Sequence, residues 1–341
     1  MKRLVVVCIF LAAAVLLAAC GASSSTNATT IRVGFFPNLT HAQALVGLAD
    51  GSFQKALGDG VKINSVQFNA GPSAMEALLA GAIDMTYIGP NPAINGHVQS
   101  KGAAVRIVAG ATSGGAVFVV RPQANIKTAK DLNGKKIASP QLGNTQDVSL
   151  RRYIVAAGLA TKETGGTVSV MPIANADILT AFQKGEIDGA WVPEPWGARL
   201  VREAGGVILV DERDLWPGGK FVTANIVVSS KFLKEHPDLV RQWLQAHVEA
   251  TQWINAHPAE AKALVNSEIG RLTGKPLAPQ VLDDAFGRME VTYDPVSSSL
   301  NTQAEWAFEA GFLDSKPDLK SIYDLTLLNE VLSKKSLPAV H

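Results

Sequence analysis

Gly81-Ala82-Ile83-Asp84-Met85-Thr86-Tyr87-Ile88 and, 104 residues further on, Gly185-Glu186-Ile187-Asp188-Gly189-Ala190-Trp191-Val192 share one pattern. Each has glycine, any residue, isoleucine and aspartate, then an aromatic–aliphatic pair. Each leads into a proline-containing loop, Gly89-Pro90-Asn91-Pro92 and Pro193-Glu194-Pro195. Glycine here stops a helix, because it takes the left-handed capping conformation without a Cβ clash. The isoleucine opens an apolar run that suits a strand buried on both faces, the habit of parallel sheets. Two copies in equivalent surroundings predict two similar units.

The chain upstream of each copy supports this. Before the first, Ile31-Arg32-Val33-Gly34-Phe35-Phe36 reads as a strand, Pro37-Asn38-Leu39-Thr40 as a loop, and a helix follows through Ala49. A second strand over 61–68 leads through Asn69-Ala70-Gly71-Pro72-Ser73 into a helix ending near Ala80. Before the second copy, the reading gives a strand over 136–139, the polar loop Leu142-Gly143-Asn144-Thr145-Gln146, and a helix over 147–157. A strand over 167–173 and a helix over 177–184 complete it. Strand–helix alternation at this spacing predicts βαβ units: an α/β protein of two lobes, each a mostly parallel sheet flanked by helices. The remainder, 221–341, reads as mostly helical. After Pro237, the residues Val240, Trp243, Leu244, His247, Val248 and Ile254 recur at helical spacing, so Trp243 and Trp253 are expected to be packing. This tail is expected to return to the first lobe. Two linking strands, 113–120 and 220–228, would then form a hinge. The expected division is a first lobe over 31–116, a second over 117–220, and the return over 221–341.

The first thirty residues read differently. Met1-Lys2-Arg3 is basic, and Leu4 to Leu17 is an apolar run suited to secretion but short for a permanent span. It ends in Leu17-Ala18-Ala19-Cys20, small residues before a cysteine. Residues 1–20 are therefore expected to be a signal peptide ending in an acylated Cys20, which would tie the protein to a lipid bilayer outside the cytoplasm. The small, uncharged stretch 21–30 is a flexible tether with a reach of about 17 Å. The other cysteine, Cys8, lies in the signal, so no disulfide or thiol chemistry is expected beyond Cys20. Without Lys2 and Arg3 the 31 basic residues fall to 29 against 30 acids, a net charge of −1. With no basic stripe, nucleic acid is not an expected partner.

Ligands of open α/β sheets lie beyond the carboxyl ends of the strands, where helix N-termini point. The loops there carry uncharged donors: Asn38, Thr40 and His41; Asn69, Gly71 and Ser73; Asn91; Ser113, Gly114 and Gly115; Asn144, Thr145 and Gln146. Helix N-termini bind small oxyanions without lysine or arginine. Singly, such residues are ordinary helix caps; as a set at matching ends of two lobes, they read as a binding cleft. Phe36, Tyr87, Trp191 and Trp196 stand near the same strand ends, either as apolar walls or as core. Glu194 either meets a ligand cation or faces water. The six histidines show no metal-ligand spacing, and no nucleophile elbow or phosphate loop occurs, so neither catalytic residues, metal nor cofactor is expected.

Several segments resemble the ABC-transporter substrate-binding proteins of the aliphatic sulfonate, taurine and nitrate group. They are Ile31 to Pro37, Gly71-Pro72-Ser73, Tyr87-Ile88-Gly89-Pro90-Asn91-Pro92, Asp131-Leu132-Asn133-Gly134-Lys135-Lys136-Ile137-Ala138, Gly185 to Trp191, and Ser230 to Pro237. The resemblance covers about residues 31–315 and implies a type II periplasmic-binding fold that closes on a small organic anion. It implies delivery to an ABC permease with its ATPase subunits, and anion contacts at Ser73, at the loop 89–91 and at 144–146. The same group includes binders of aromatic acids and heterocyclic vitamin precursors. A related branch makes a thiamine pyrimidine with histidine and cysteine chemistry, which the lack of cysteine beyond Cys20 argues against. A scavenging enzyme on the same scaffold is the third reading.

Overall fold

The computed structural model describes residues 29–341; the expected signal peptide, Cys20 and residues 21–28 of the tether lie outside the described residues. From the start the chain runs β1 (Thr29–Phe35), a 3-10 turn at Leu39–His41, α1 (Ala42–Ala49), α2 (Ser52–Leu57) and β2 (Val61–Gln67). Next come α3 (Gly71–Leu79), β3 (Met85–Ile88), α4 (Pro90–Gln99) and β4 (Val105–Gly114). The middle of the chain holds β5 (Ala116–Val120), β6 (Lys136–Ser139), α5 (Thr145–Ala156), β7 (Ser169–Pro172), α6 (Asn175–Lys184), β8 (Gly189–Pro193), α7 (Trp196–Ala204) and β9 (Val207–Asp211). The last stretch is β10 (Val222–Ser229), α8 (Ser230–Glu235), α9 (Pro237–Ala256), α10 (Pro258–Thr273), α11 (Pro279–Phe286), β11 (Met289–Val291), α12 (Ser297–Glu309) and α13 (Thr326–Lys334). β1 opens at Thr29, two residues ahead of the expected strand, because Thr29 and Thr30 pair with Val61 and Lys62.

Two sheets result, one per lobe. The first has six strands in the order β11-β4-β10-β3-β1-β2, and the second has five in the order β7-β6-β8-β5-β9. The two-lobed α/β architecture is as expected, but each sheet is mixed rather than mostly parallel. β1, β2 and β3 are parallel, as are β6, β7 and β8. The strands on the hinge side, β4, β10 and β11 in one lobe and β5 and β9 in the other, pair antiparallel. In each sheet the strand that arrives from the other lobe, β10 between β3 and β4 and β5 between β8 and β9, runs against both of its neighbours.

The repeated glycine–isoleucine–aspartate pattern has the same structural role twice. Gly81 and Gly185 take φ of +69° and +74° at helix ends, and Ile83 and Ile187 are buried. Asp84 accepts the Arg32 N–H at 2.8 Å, while its own N–H donates to the Arg32 carbonyl. Asp188 does the same with Lys136, at 2.9 Å for the carboxylate. Each aspartate thus ties its strand to the strand beside it, and each pair is 52 residues apart.

The C-terminal helices pack against the helices of the first lobe. α9 lies across α1, α2 and α13, with the Trp243 indole stacked on Phe53 at 3.9 Å. In the second lobe Trp191 stacks on Phe118 at 5.3 Å, with Tyr153 edge-on at 5.5 Å. The passage between lobes falls at Gly114 and Gly115, whose φ values of +74° and +77° are open to glycine and strained for other residues. The return passage runs from Asp211 to Val222 through two 3-10 turns.

Candidate functional site

The two lobes meet around a cavity of about 20 Å³ lined by Phe36, Asn38, Thr40, His41, Asn69, Ala70, Gly89, Asn144, Thr145, Gln146, Asn175, Pro193 and Thr223. Four helices begin here: α3 after Ala70, α4 after Gly89, α5 after Asn144 and α6 after Ala174. None of the four is capped by a side chain. The Asn144 amide donates to Gln146 Oε1 instead of accepting from its own helix. Residues that read as ordinary caps therefore do not cap, and the first-turn N–H groups keep their partial positive charge, except at Pro72, Pro90 and Pro92, which have none.

Three buried atoms at the cavity have no hydrogen-bond partner among the described residues: Thr145 Oγ1, Thr223 Oγ1 and Asn175 Oδ1. Buried polar groups are nearly always paired, so a set of three around one small space marks where a ligand supplies the partners. His41 adds a defined donor. Its Nδ1 accepts the Phe36 N–H at 3.1 Å, so the ring proton resides on Nε2. Burial pushes its pKa down to about 3, which keeps the ring neutral. Phe36 packs against it at 4.4 Å.

The lobes are closed on this space. A Cβ on Gly89 would lie 2.3 Å from Thr145 Oγ1, and one on Gly71 would lie 3.1 Å from Asn144 Oδ1. Only glycine allows such approach. The Leu39 N–H donates to the Glu194 carbonyl at 3.2 Å, and Trp196 Nε1 donates to Asn38 Oδ1 at 3.0 Å. Ion pairs Arg202–Asp284 and Arg152–Glu309, both at 2.6 Å, bridge α7 to α11 and α5 to α12.

The structure brings Asn38, Thr40, His41, Asn144, Thr145 and Gln146 together at the cavity, and sends other expected site residues elsewhere. Ser73 turns its hydroxyl back to the Ala70 carbonyl at 3.0 Å; Gly71 serves the close approach of the lobes. Asn91 donates to the Gln303 carbonyl on α12. Ser113 and Gly114 belong to the hinge, where Ser113 pairs with Val222 and Glu290 and the Gly114 N–H donates to the Phe221 carbonyl. Trp191 is core: fully buried, with Nε1 donating to Glu212 at 2.7 Å. Tyr87 is also core, its hydroxyl on His247. Trp196 reaches the cavity rim only through Asn38, its ring under the Arg199 guanidinium at 4.6 Å. Glu194 faces neither ligand nor water: it is wholly buried, pairs with Arg288 at 2.9 Å and accepts the Ala198 N–H at 2.9 Å. Burial raises its pKa, opposed by those two partners.

Sequence reasoning missed Asn175 and Thr223. Asn175 starts α6, whose expected start at Asp177 falls two residues late. Thr223 is the second residue of β10, a stretch that reads as a connector. A larger hollow of about 680 Å³ lies beside the hinge, lined by Arg213, Lys220, Arg288 and Trp216 among others. Its cations are already paired with Asp211, Glu290 and Glu194, so none of the three is free to hold an anion. Among the described residues no three His, Cys, Asp or Glu side chains gather as a metal site.

The sequence pattern of the NMT1-like family matches residues 24–268. A putative aliphatic sulfonates-binding protein of Bacillus subtilis (strain 168) is 28% identical over 332 residues, covering 94% of this chain and 95% of that protein. The alkanesulfonate-binding protein SsuA from Xanthomonas axonopodis pv. citri, solved bound to MOPS, has a TM-score of 0.70 at 20% identity and covers 84% of this chain and 95% of its own. The nitrate-binding protein NrtA from Synechocystis PCC 6803 has a TM-score of 0.78 at 16% identity, over 92% of this chain and 90% of its own. The structural likeness establishes a fold shared with periplasmic binding proteins, and the sequence match, which spans most of the chain, establishes descent: this chain belongs to the NMT1-like family.

Proposed function

We propose that this chain is the extracytoplasmic solute-binding component of an ABC importer. It takes a small anion, an aliphatic sulfonate, a taurine-like or a nitrate-like ligand, between its lobes and hands it to a membrane permease driven by ATPase subunits. One observation carries the reading. Four uncapped helix N-termini, drawn from both lobes, converge on a cavity with neutral donors and unpartnered buried polar atoms. Such an arrangement stabilises negative charge with dipoles that are fixed before the ligand arrives. The binding of aliphatic sulfonates and of nitrate by its relatives supports the same ligand class. An aromatic acid or heterocycle is less well served, because Trp191 is occupied in the core and the closed cavity is small.

Closure is part of the function: contacts from both lobes exist only when Gly89 lies against Thr145, so ligand selects the closed form. In this reading residues 31–116 and 221–341 make the first lobe and 117–220 the second. Cys20 carries the lipid and the residues between it and β1, 21–28, the tether, and Cys20→Ala is expected to release the protein from membranes.

The test is calorimetric titration with alkanesulfonates, nitrate and small carboxylates, with the ligand recovered unchanged afterwards. Thr145→Val removes one donor to the anion and is expected to weaken binding by roughly 10- to 100-fold, the worth of a hydrogen bond to a charged group. Ser73→Ala, whose hydroxyl faces its own helix, is expected to bind as the unaltered protein does. Saturable binding that Thr145→Val leaves untouched would remove the cavity from the reading.

A further inference from the structure

We propose that the cavity selects against ammonium groups, so that its ligand is a simple alkanesulfonate or inorganic oxyanion and not an aminosulfonate. This rests on the reading that the cleft holds an anion, and it narrows the ligand class by charge pattern.

Among the described residues that line the cavity, none is an acid, a lysine or an arginine, and His41 is neutral with its proton on Nε2. What it presents is chiefly donors: the Thr145 and Thr223 hydroxyls, the His41 N–H and the helix N-termini. The Asn175 Oδ1 atom is an unpartnered acceptor there, and it carries no charge.

The buried carboxylates Glu194, Asp147 and Glu212 are not in reserve, and Asp177 in the first turn of α6 is exposed to water. Glu194 is consumed by Arg288 and the Ala198 N–H. Asp147 accepts from the Ser139 hydroxyl, the Gly143 N–H and the Arg151 guanidinium. Glu212 accepts from Ser149 and Trp191. Releasing any of them would strand a buried donor or cation, a heavier penalty than leaving the acid where it is. An ammonium carried into the closed cleft would therefore lose its water and gain no counter-charge, the circumstance in which burial of a charge is most unfavourable. Helix N-termini make this worse, since their partial positive charge repels a cation as it holds an anion.

Taurine and propane-1-sulfonate form the decisive pair, because they differ only in an ammonium against a methyl group. Calorimetric titration at pH 7 of the full chain with both, and with nitrate, separates the possibilities. The expected result is that propane-1-sulfonate or nitrate binds on the order of 100-fold more tightly than taurine. Taurine within threefold of the best anion overturns the inference while leaving anion binding intact. Failure of all three probes to bind overturns the anion reading and the inference with it. Asn175→Asp then supplies the missing counter-charge at a cavity position without changing side-chain size. It is expected to raise the affinity for taurine relative to the best anion by about tenfold. An unchanged ratio would mean that the lack of a carboxylate is not what excludes ammonium.

Discussion

His247 is engaged at both ring nitrogens: the Tyr87 hydroxyl meets Nδ1 at 3.0 Å and the Gly110 carbonyl meets Nε2 at 2.9 Å. A carbonyl can only accept, so Nε2 donates; in the neutral ring that burial favours, Nδ1 then accepts from the Tyr87 hydroxyl. Burial pushes its pKa down to about 4, against about 6.5 in an unfolded chain. Between those values the unfolded chain binds a proton that the folded chain refuses. The stability His247 confers is therefore complete above about pH 6.5 and is lost as pH falls toward 4. Glu212 acts with the opposite sign. Burial lifts its pKa to about 7 despite hydrogen bonds from Trp191 and Ser149, so its contribution is lost as pH rises through that value. The variant His247→Gln isolates the first effect. Urea unfolding at pH 7 and pH 5 is expected to show the unaltered protein losing about 2 kcal/mol more than the variant over that interval. Equal losses in both would mean that the ring is not held neutral.

At the scale of elements, the aspartates of the repeated pattern lock neighbouring strands, and their surroundings set what each lock is worth. The Asp84 bond to Arg32 is half-buried and reinforced by the guanidinium at 2.9 Å; the Asp188 bond to Lys136 is exposed. Water replaces an exposed partner but not a buried one. Asp84→Ala is therefore expected to cost about 2–3 kcal/mol in urea unfolding, and Asp188→Ala about 1 kcal/mol or less. The reverse order would show that the repeat is not a strand lock. The repeat was legible because glycine, isoleucine and aspartate each act locally, through a cap, a buried strand and a backbone bond. The starts of α5 and α6 were less so: each begins two residues before its first acidic residue, and the residues just ahead of them, Asn144 and Ala174, make no side-chain cap. Asn175 was lost from the reading for that reason. Trp191 was ambiguous for another. Every residue of β8 is buried, so no alternation separates a cleft-facing side chain from a core one. Glu194 looked free because its partner, Arg288, lies 94 residues away.

For the molecule as a whole, the two sheets are assembled from the chain in different ways. The five-stranded sheet uses one continuous stretch from Ala116 to Asp211. The six-stranded sheet needs both ends, because β10 lies between β3 and β4 and β11 flanks β4. Contacts between distant segments form late, since the intervening loop must be closed before they contribute. Pulse-labelled hydrogen exchange during refolding is expected to protect β5, β6 and β8 before β3, β4 and β10; simultaneous protection would refute this order. The same insertion bears on the timing of synthesis. While a ribosome is still making the middle of the protein, the opening hundred residues have parallel strands but no β10 to seat between β3 and β4. The sheet of the first lobe thus stays without β10 until residue 229 has been added and without β11 until residue 291, and the delay is written into strand order alone.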